Sequence, residues 1–328
     1  MPRYASIIGT GAYVPPIERS NAAMFERFGE VIYKFEASSG IKTRWYAPDD
    51  WATSDLAVEA GKAALKDAGL QPTDLDMIIL GTDSPDYITP ATSVVVQHKL
   101  GAVNAGTFDI GCACASFPTG LNIASGLLAT SPHMKYVMVV GAYMMHKLSD
   151  WQNDVISFFY GDGAGAAILG VSDKPGFVTS TFFADGSYHK HWGIYAGGTY
   201  EPVTAEAVQA GRHQVKLVTA FPPEVNHVGW PARMRELAAN GKFDLQDIDF
   251  ALFTQVRQPS IKLVMDDLGL PIEKSHWIMD KWGYTGSACI PMVFDDAMKL
   301  GQIKSGDLVT FVGSGVGYNQ AGSAFIMP

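Results

Sequence analysis

Apolar residues along this chain fall into continuous runs and helically spaced stripes, and the order in which the two follow one another sets out the fold. Residues 4–10 read as a buried strand, followed by a loop, Gly11-Ala12-Tyr13-Val14-Pro15-Pro16. The segment 22–45 shows no clear period and reads as irregular, ending in Ser39-Gly40-Ile41-Lys42-Thr43-Arg44-Trp45. Ser54 to Gly69 reads as an amphipathic helix with Leu56, Ala57, Ala60, Ala63, Ala64 and Leu65 inward, Ser54 as its cap and Gly69 as its stop. Leu75 to Thr82 and Tyr136 to Gly141 are unbroken apolar runs, the pattern of strands covered on both faces. Between them, Phe108 to Leu121 starts as a strand, turns at Gly111 and continues with Ala115, Leu121, Ala124, Leu127 and Leu128 at helical spacing. A polar and aromatic excursion over 143–160 leads into a glycine-rich turn and a further strand, Gly161 to Gly170.

The second half repeats this order. Asp74-Leu75-Asp76-Met77-Ile78-Ile79-Leu80 is echoed by Asp247-Ile248-Asp249-Phe250-Ala251-Leu252-Phe253, an offset of 173 residues. Val137-Met138-Val139-Val140-Gly141 is echoed by Val309-Thr310-Phe311-Val312-Gly313, an offset of 172. Such a duplication implies two similar βα halves, 1–172 and 173–328, joined near 171–176, with strands buried between helices. Cys114 then corresponds to Ser287, and the two helix N-termini are expected to meet near a pseudo-twofold axis, with a substrate site between the halves. The stretch 176–215 reads as strands and loops decorating the second half.

Composition narrows the functional classes. Of 328 residues, 47% are apolar and 17% charged, which makes the chain globular and long enough for a large core or two fused domains. A net charge of −9 argues against nucleic acid, which needs a basic face. No apolar run reaches the ~18 residues of a membrane span. The first residues lack a signal-peptide layout, so a cytoplasmic location is expected. Cys112, Cys114 and Cys289 make neither a disulfide framework nor a zinc-ligand pattern, and His189 with His191 lacks a third ligand, so no metal is expected.

The chemistry centres on Cys114. In the first turn of a helix, N–H groups have no internal acceptor, and the positive end of the helix dipole favours a thiolate. A nucleophile at a strand-to-helix turn beside such N–H groups is the design of an acyl-transfer site. A cysteine among alanines is also an ordinary small core residue, and both readings stand at this point. Gly161-Asp162-Gly163-Ala164-Gly165 and Gly313-Ser314-Gly315-Val316-Gly317 lack the strand-to-helix context of a dinucleotide site, so close packing explains their glycines better.

These segments resemble those of the ketoacyl-ACP synthase III condensing enzymes of the thiolase superfamily, over essentially the whole chain. The resemblance is carried by Ile7 to Pro15, Ser39 to Arg44, Ala52 to Ala57, Gln97 to Ala102, Ala113 to Phe117, Gly161 to Ala166 and Gly313 to Gly317, in this order. It implies an α/β, thiolase-like fold of duplicated βα halves in αβαβα layers. It implies Cys114 as the acyl-accepting nucleophile, with an oxyanion hole from the N–H groups of Cys114 and Val316. It implies Gly315 and Gly317 in the substrate-binding glycine loop, Cys112 as a wall of the pocket and Ser287 near the substrate. It implies an acyl-CoA or acyl carrier protein thioester as substrate, no cofactor, and a homodimer in which the loop Asp83-Ser84-Pro85-Asp86-Tyr87-Ile88-Thr89-Pro90 reaches the partner's pocket.

Two departures redirect the expected chemistry. The family's usual His and Asn, which stabilise the enolate left by malonyl decarboxylation, are replaced here by Thr254 and Tyr284. Loss of one such donor costs ~2.7–4 kcal/mol of barrier, so loss of both predicts slow malonyl decarboxylation. Three readings follow: acyl transfer from Cys114 to an acceptor that needs no decarboxylation, with Tyr284, Gln255 and Thr254 as polar partners; a thiolase-type condensation with a partner subunit; or a non-catalytic subunit of a condensing complex. His98, His227 and His276 are the histidines nearest by segment, each read as structural, and Arg257 is a candidate phosphate contact for the thioester carrier. Lys34 and Ser38 stand where the family's tunnel-mouth contacts are expected, and Trp277, Trp282 and Tyr284 are candidates to narrow the acyl pocket.

Overall fold

The continuous apolar runs become the inner strands of two sheets. A computed structural model of the chain describes residues 3–222 and 224–328. The first sheet holds β1 (Tyr4–Tyr13), β2 (Met77–Gly81), β3 (Gly106–Ile110), β4 (Tyr136–Tyr143) and β5 (Gly163–Ser172), in the order β1-β5-β4-β2-β3. The second holds β6 (Phe177–Ala184), β7 (Phe250–Phe253), β8 (Leu308–Gly315) and β9 (Asn319–Ile326), in the order β6-β9-β8-β7. The pairings repeat as well as the order. β1 with β5 and β5 with β4 are antiparallel and β4 with β2 parallel; β6 with β9 and β9 with β8 are antiparallel and β8 with β7 parallel. Among the described residues, no strand of the second sheet matches β3, and a single parallel bridge between Ala251 of β7 and Ser275 stands on that side.

Four helices complete the layers: α1 (Thr53–Ala68), α2 (Ser116–Thr130), α3 (Gly229–Gly241) and α4 (Cys289–Lys299). α2 and α4 each touch strands of both sheets and form the middle layer, while α1 covers the first sheet and α3 the second. The middle helices therefore need apolar side chains on several faces: Phe117, Leu121, Ala124 and Leu128 of α2 and Ile290, Val293, Phe294 and Ala297 of α4 are fully buried. The result is the expected αβαβα layering. No helix of the described residues is long and apolar enough to cross a membrane.

The layers close around the two helix starts because glycine stands at the points of contact. A Cβ on Gly313 of β8 would lie 2.8 Å from the carbonyl oxygen of Cys114, and one on Gly141 of β4 would lie 2.2 Å from that of Ser287. Each half thus receives the other's helix-opening turn on a glycine of its own strand. This places Cys114 and Ser287 beside the pseudo-twofold axis.

Three local expectations are corrected. The segment 22–45 is not irregular: it forms two short helices, Asn21–Phe28 capped by the Ser20 hydroxyl and Val31–Ser39 closed by Gly40 in the left-handed region, and then a strand, Thr43–Tyr46. Ser54 does not cap α1. The helix starts at Thr53, the Ala52 N–H donates to the Asp55 carboxylate, and the buried Ser54 hydroxyl accepts from Lys99 Nζ. The stretch 176–215 is more than decoration, since 177–184 is the edge strand β6 and residues from 192 onward line the cavity described below. Arg44, fully buried, ties the early segment to the cavity wall. Its guanidinium donates to the Phe158 carbonyl from two nitrogens, to Asn21 Oδ1 and to the Arg19 carbonyl, and stacks 4.6 Å from the Phe158 ring centroid. Burial pulls its pKa down to about 10, which leaves it charged at neutral pH.

Candidate active site

The strand β3 runs into a tight turn and then into α2, and Cys114 stands in the turn. The strand ends at Ile110 and the chain turns from Gly111 as expected, and the left-handed residue of this elbow is Ala113, at φ 47°. An L-residue there costs about 1–2 kcal/mol. The second half meets the same backbone requirement at the matching position with Gly286, at φ 45°. The elbow puts Cys114 Sγ on the wall of a cavity of about 630 Å³, within the usual size range of small-molecule sites. The deep wall is aromatic: Tyr143 and Tyr160 pack around Tyr284 with ring centroids 6.3 and 6.1 Å from it, and Trp192 meets Tyr160 edge-on at 6.3 Å.

Tyr284 hydrogen-bonds Cys114 Sγ through its hydroxyl. It is held there by main-chain pairing, with its N–H on the Phe159 carbonyl and its carbonyl accepting from the Gly161 N–H. Thr254 also lines the cavity and is buried, and its Oγ1 accepts from the Ser314 N–H at 2.9 Å. Gly315 and Val316 line the cavity, and so does Arg257, exposed, with its Nε on the Ser38 carbonyl at 3.0 Å.

Other expected site residues do not reach the cavity. Gln255 is fully buried beside it but turned away: its amide donates to the Phe253 and His276 carbonyls and accepts from the Ile278 N–H. Thr254 and Val256 line the cavity, whereas Gln255, in the turn that follows β7, is held away from it by these main-chain partners. Cys112 is not among the cavity-lining residues; its carbonyl packs against Gly315 and its N–H donates to the Ser116 hydroxyl. Gly317 lies beyond the lining, past the end of β8. Ser287 donates to the Ala142 carbonyl at 2.7 Å, and Trp277 and Trp282 lie outside, against Lys262 and Lys281. Of the three histidines singled out, His227 lines the cavity and shares a 3.0 Å hydrogen bond with Ser260, whereas His276 pairs with Asp296.

One lining residue carries chemistry that sequence reasoning had assigned only to a loop. Asp83 follows β2, and its Oδ1 is buried with no hydrogen-bond partner among the described residues. Burial pushes its carboxyl up to about 7, while its own N–H and the Ser287 hydroxyl pull the other way. The thiol is affected in turn. Burial, then the Asp83 carboxylate, then Cys289 raise Cys114 well above the ordinary thiol range, and the Tyr284 hydroxyl and the Cys114 N–H only partly offset this. The expectation of a thiolate favoured by the helix terminus is therefore corrected: desolvation in an apolar, aromatic cavity outweighs it. Tyr143, Tyr160 and Tyr284 are themselves raised well above 10, first by burial, so they stay protonated.

Known proteins share the sequence pattern and the fold of this chain. Residues 108–186 match the family model described as 3-oxoacyl-[acyl-carrier-protein (ACP)] synthase III, and residues 237–326 match the model of its C-terminal part. The chain is 36% identical over 322 residues to the beta-ketoacyl-[acyl-carrier-protein] synthase III of Natranaerobius thermophilus, covering 95% of this chain and 96% of that one. It is 35% identical to the same-named protein of Caldanaerobacter subterraneus subsp. tengcongensis, covering 97% and 96%. Among solved structures, the priming β-ketosynthase of the R1128 polyketide biosynthetic pathway superposes with a TM-score of 0.92 at 27% identity, covering 100% of this chain and 97% of that one.

Proposed function

The chain belongs to the 3-oxoacyl-[acyl-carrier-protein] synthase III family of thiolase-fold acyltransferases, and on that premise we propose that it loads an acyl group from a CoA or carrier-protein thioester onto Cys114 and transfers it to an acceptor not activated by decarboxylation. The observation that carries this reading is the Tyr284 hydroxyl on Cys114 Sγ, with Thr254 as the other polar wall, where the family resemblance leads one to expect Asn and His. In loading, the sulfur attacks the thioester carbonyl, a new C–S bond forms, and the CoA or carrier sulfur leaves with the thiol proton. The N–H groups of Cys114 and Val316 are the donors we assign to the oxyanion. Tyr284, protonated throughout, donates to the sulfur and favours it as nucleophile and later as leaving group. Arg257 at the rim is the cation we assign to a carrier phosphate. No step is routed through a metal or cofactor, and a cytoplasmic location is part of the reading.

Intact-protein mass spectrometry with a panel of acyl-CoAs tests this. The expected result is a mass increase mapping to Cys114 with at least one thioester, and no enzyme-dependent release of carbon dioxide when malonyl-CoA or malonyl carrier protein is added. No loading by any thioester would overturn the reading, as would decarboxylation coupled to turnover.

A homodimer belongs to the same proposal. Among the described residues β3 pairs only with β2 and leaves an open sheet edge, and exposed Tyr87, Ile88, Val94 and Val103 lie on the segments flanking it. Open edges of this kind are normally covered. Sedimentation equilibrium is expected to give twice the 35.3 kDa chain mass, and a monomer at micromolar concentration would reject the dimer.

A further inference from the structure

Asp83 is the group in the cavity that neither the fold nor the loading step uses. Its loop is held by its neighbours. The Ser84 carbonyl accepts from the Thr53 hydroxyl, the Ser84 hydroxyl accepts from the Met144 N–H, and the Asp86 carboxylate accepts from the Ser54 N–H. The Asp83 side chain makes none of these bonds, and its Oδ1 is buried without a partner. A buried polar atom left unpaired beside a nucleophile calls for a chemical explanation rather than a structural one.

The titratable groups around it are four residues of the cavity wall and the buried Cys289. Cys114, Cys289, Tyr143, Tyr160 and Tyr284 all feel the Asp83 charge, and none of them is a cation. Arg257 and His227 line the same cavity but are tied to Ser38 and Ser260. A carboxylate with one oxygen unpaired and no cation among these neighbours is poorly placed to hold a malonyl carboxylate, which it would repel. It is well placed to receive a proton, and the raised phenols around it offer neutral O–H donors to an enolate oxygen.

We propose that Asp83 is the base of the transfer step: it removes the α proton of a second thioester, and the carbanion so formed takes the acyl group from Cys114. This rests on the acyl-transfer reading above and adds to it the class of acceptor, a carbon acid. In the step, the α C–H bond breaks and its proton goes to the Asp83 carboxylate. The carbanion attacks the carbonyl of the Cys114 thioester, a C–C bond forms and the C–S bond breaks. The proton then passes from Asp83 to the departing sulfur, so the enzyme returns to its starting state with no further reactant.

The test follows the α hydrogens of CoA esters in deuterium oxide, with the full chain and acetyl-, propionyl- and phenylacetyl-CoA as probes. Exchange is read on the CoA ester itself, so it succeeds or fails separately from loading, which is read by mass on Cys114. Wild type is expected to exchange at least one probe, with a rate that rises as Asp83 loses its proton. Asp83→Asn is expected to lower exchange by about 100-fold or more, the usual scale of a lost general base, and still to load Cys114. Asp83→Glu is expected to restore part of the exchange. The proposal is overturned by wild-type loading without exchange of any probe, or by Asp83→Asn exchanging at the wild-type rate. It is equally overturned if Asp83→Asn loses loading and exchange together with no recovery in Asp83→Glu, or if the requirement falls on His227→Gln instead. Failure of wild type to load, with exchange intact, would strike the acyl-transfer reading and leave the base assigned.

Discussion

Cys114→Ala is expected to stay folded and to lose covalent acyl loading completely. The thiol is 4% exposed, and that remaining surface faces the cavity, so its removal deletes the nucleophile while taking away a single buried sulfur. The stability cost expected for such a deletion is about 1 kcal/mol, a shift of a few degrees in melting temperature. Cys289 cannot substitute: it is fully buried outside the cavity lining, and its sulfur accepts from the Gln255 N–H at 3.4 Å. Mass spectrometry after incubation with a thioester that loads wild type should find no adduct on the variant. An adduct of equal occupancy on Cys289 or Cys112 would move the nucleophile away from the elbow.

Tyr284→Phe is expected to slow loading at neutral pH by about 10- to 100-fold and to shift the pH profile of Cys114 reactivity upward. The thiol is already raised by burial and by the Asp83 carboxylate, and the Tyr284 hydroxyl opposes both. A hydrogen bond to a charged group contributes about 1.5–3 kcal/mol, and 1.36 kcal/mol is one pKa unit, so the thiolate should form about one to two units higher. The sign is fixed by the donor: removing an O–H that favours the anion raises the pKa, and removing the Asp83 charge lowers it. Rates of Cys114 alkylation by iodoacetamide between pH 6 and 10 measure both, because they report the thiolate without needing a substrate. An unchanged profile in Tyr284→Phe would mean that the hydroxyl does not act on the sulfur in solution.

Much of the architecture was legible along the chain. The repeat linking Asp74–Leu80 to Asp247–Phe253 and Val137–Gly141 to Val309–Gly313 reappears as two sheets in which four strands share one order and pairing, β3 being additional in the first. The strand-turn-helix around Cys114 appears where expected, because a continuous apolar strand followed by helically spaced small residues has few other ways to be buried. Gln255 was not legible in this way: it stands in the turn after β7, and its orientation follows from the Phe253, His276 and Ile278 main-chain groups that hold its amide, which come together only in the folded chain.

The sequence by itself determined the duplicated βα layers, the elbow and its thiol, since these depend on local periodicity and on residues adjacent in the chain. It also showed that the partners expected of that thiol had become Thr254 and Tyr284. Only the tertiary structure decided which groups act on the sulfur. Residues 83, 114, 143, 160 and 284 come from five separate segments and meet where the two halves close on Gly141 and Gly313. The protonation of these groups depends on that meeting. Burial raises Cys114, Asp83 and the tyrosines together, and the balance among them depends on which neighbour faces which. No spacing along the chain encodes desolvation, because it is a property of the closed cavity and not of any one segment.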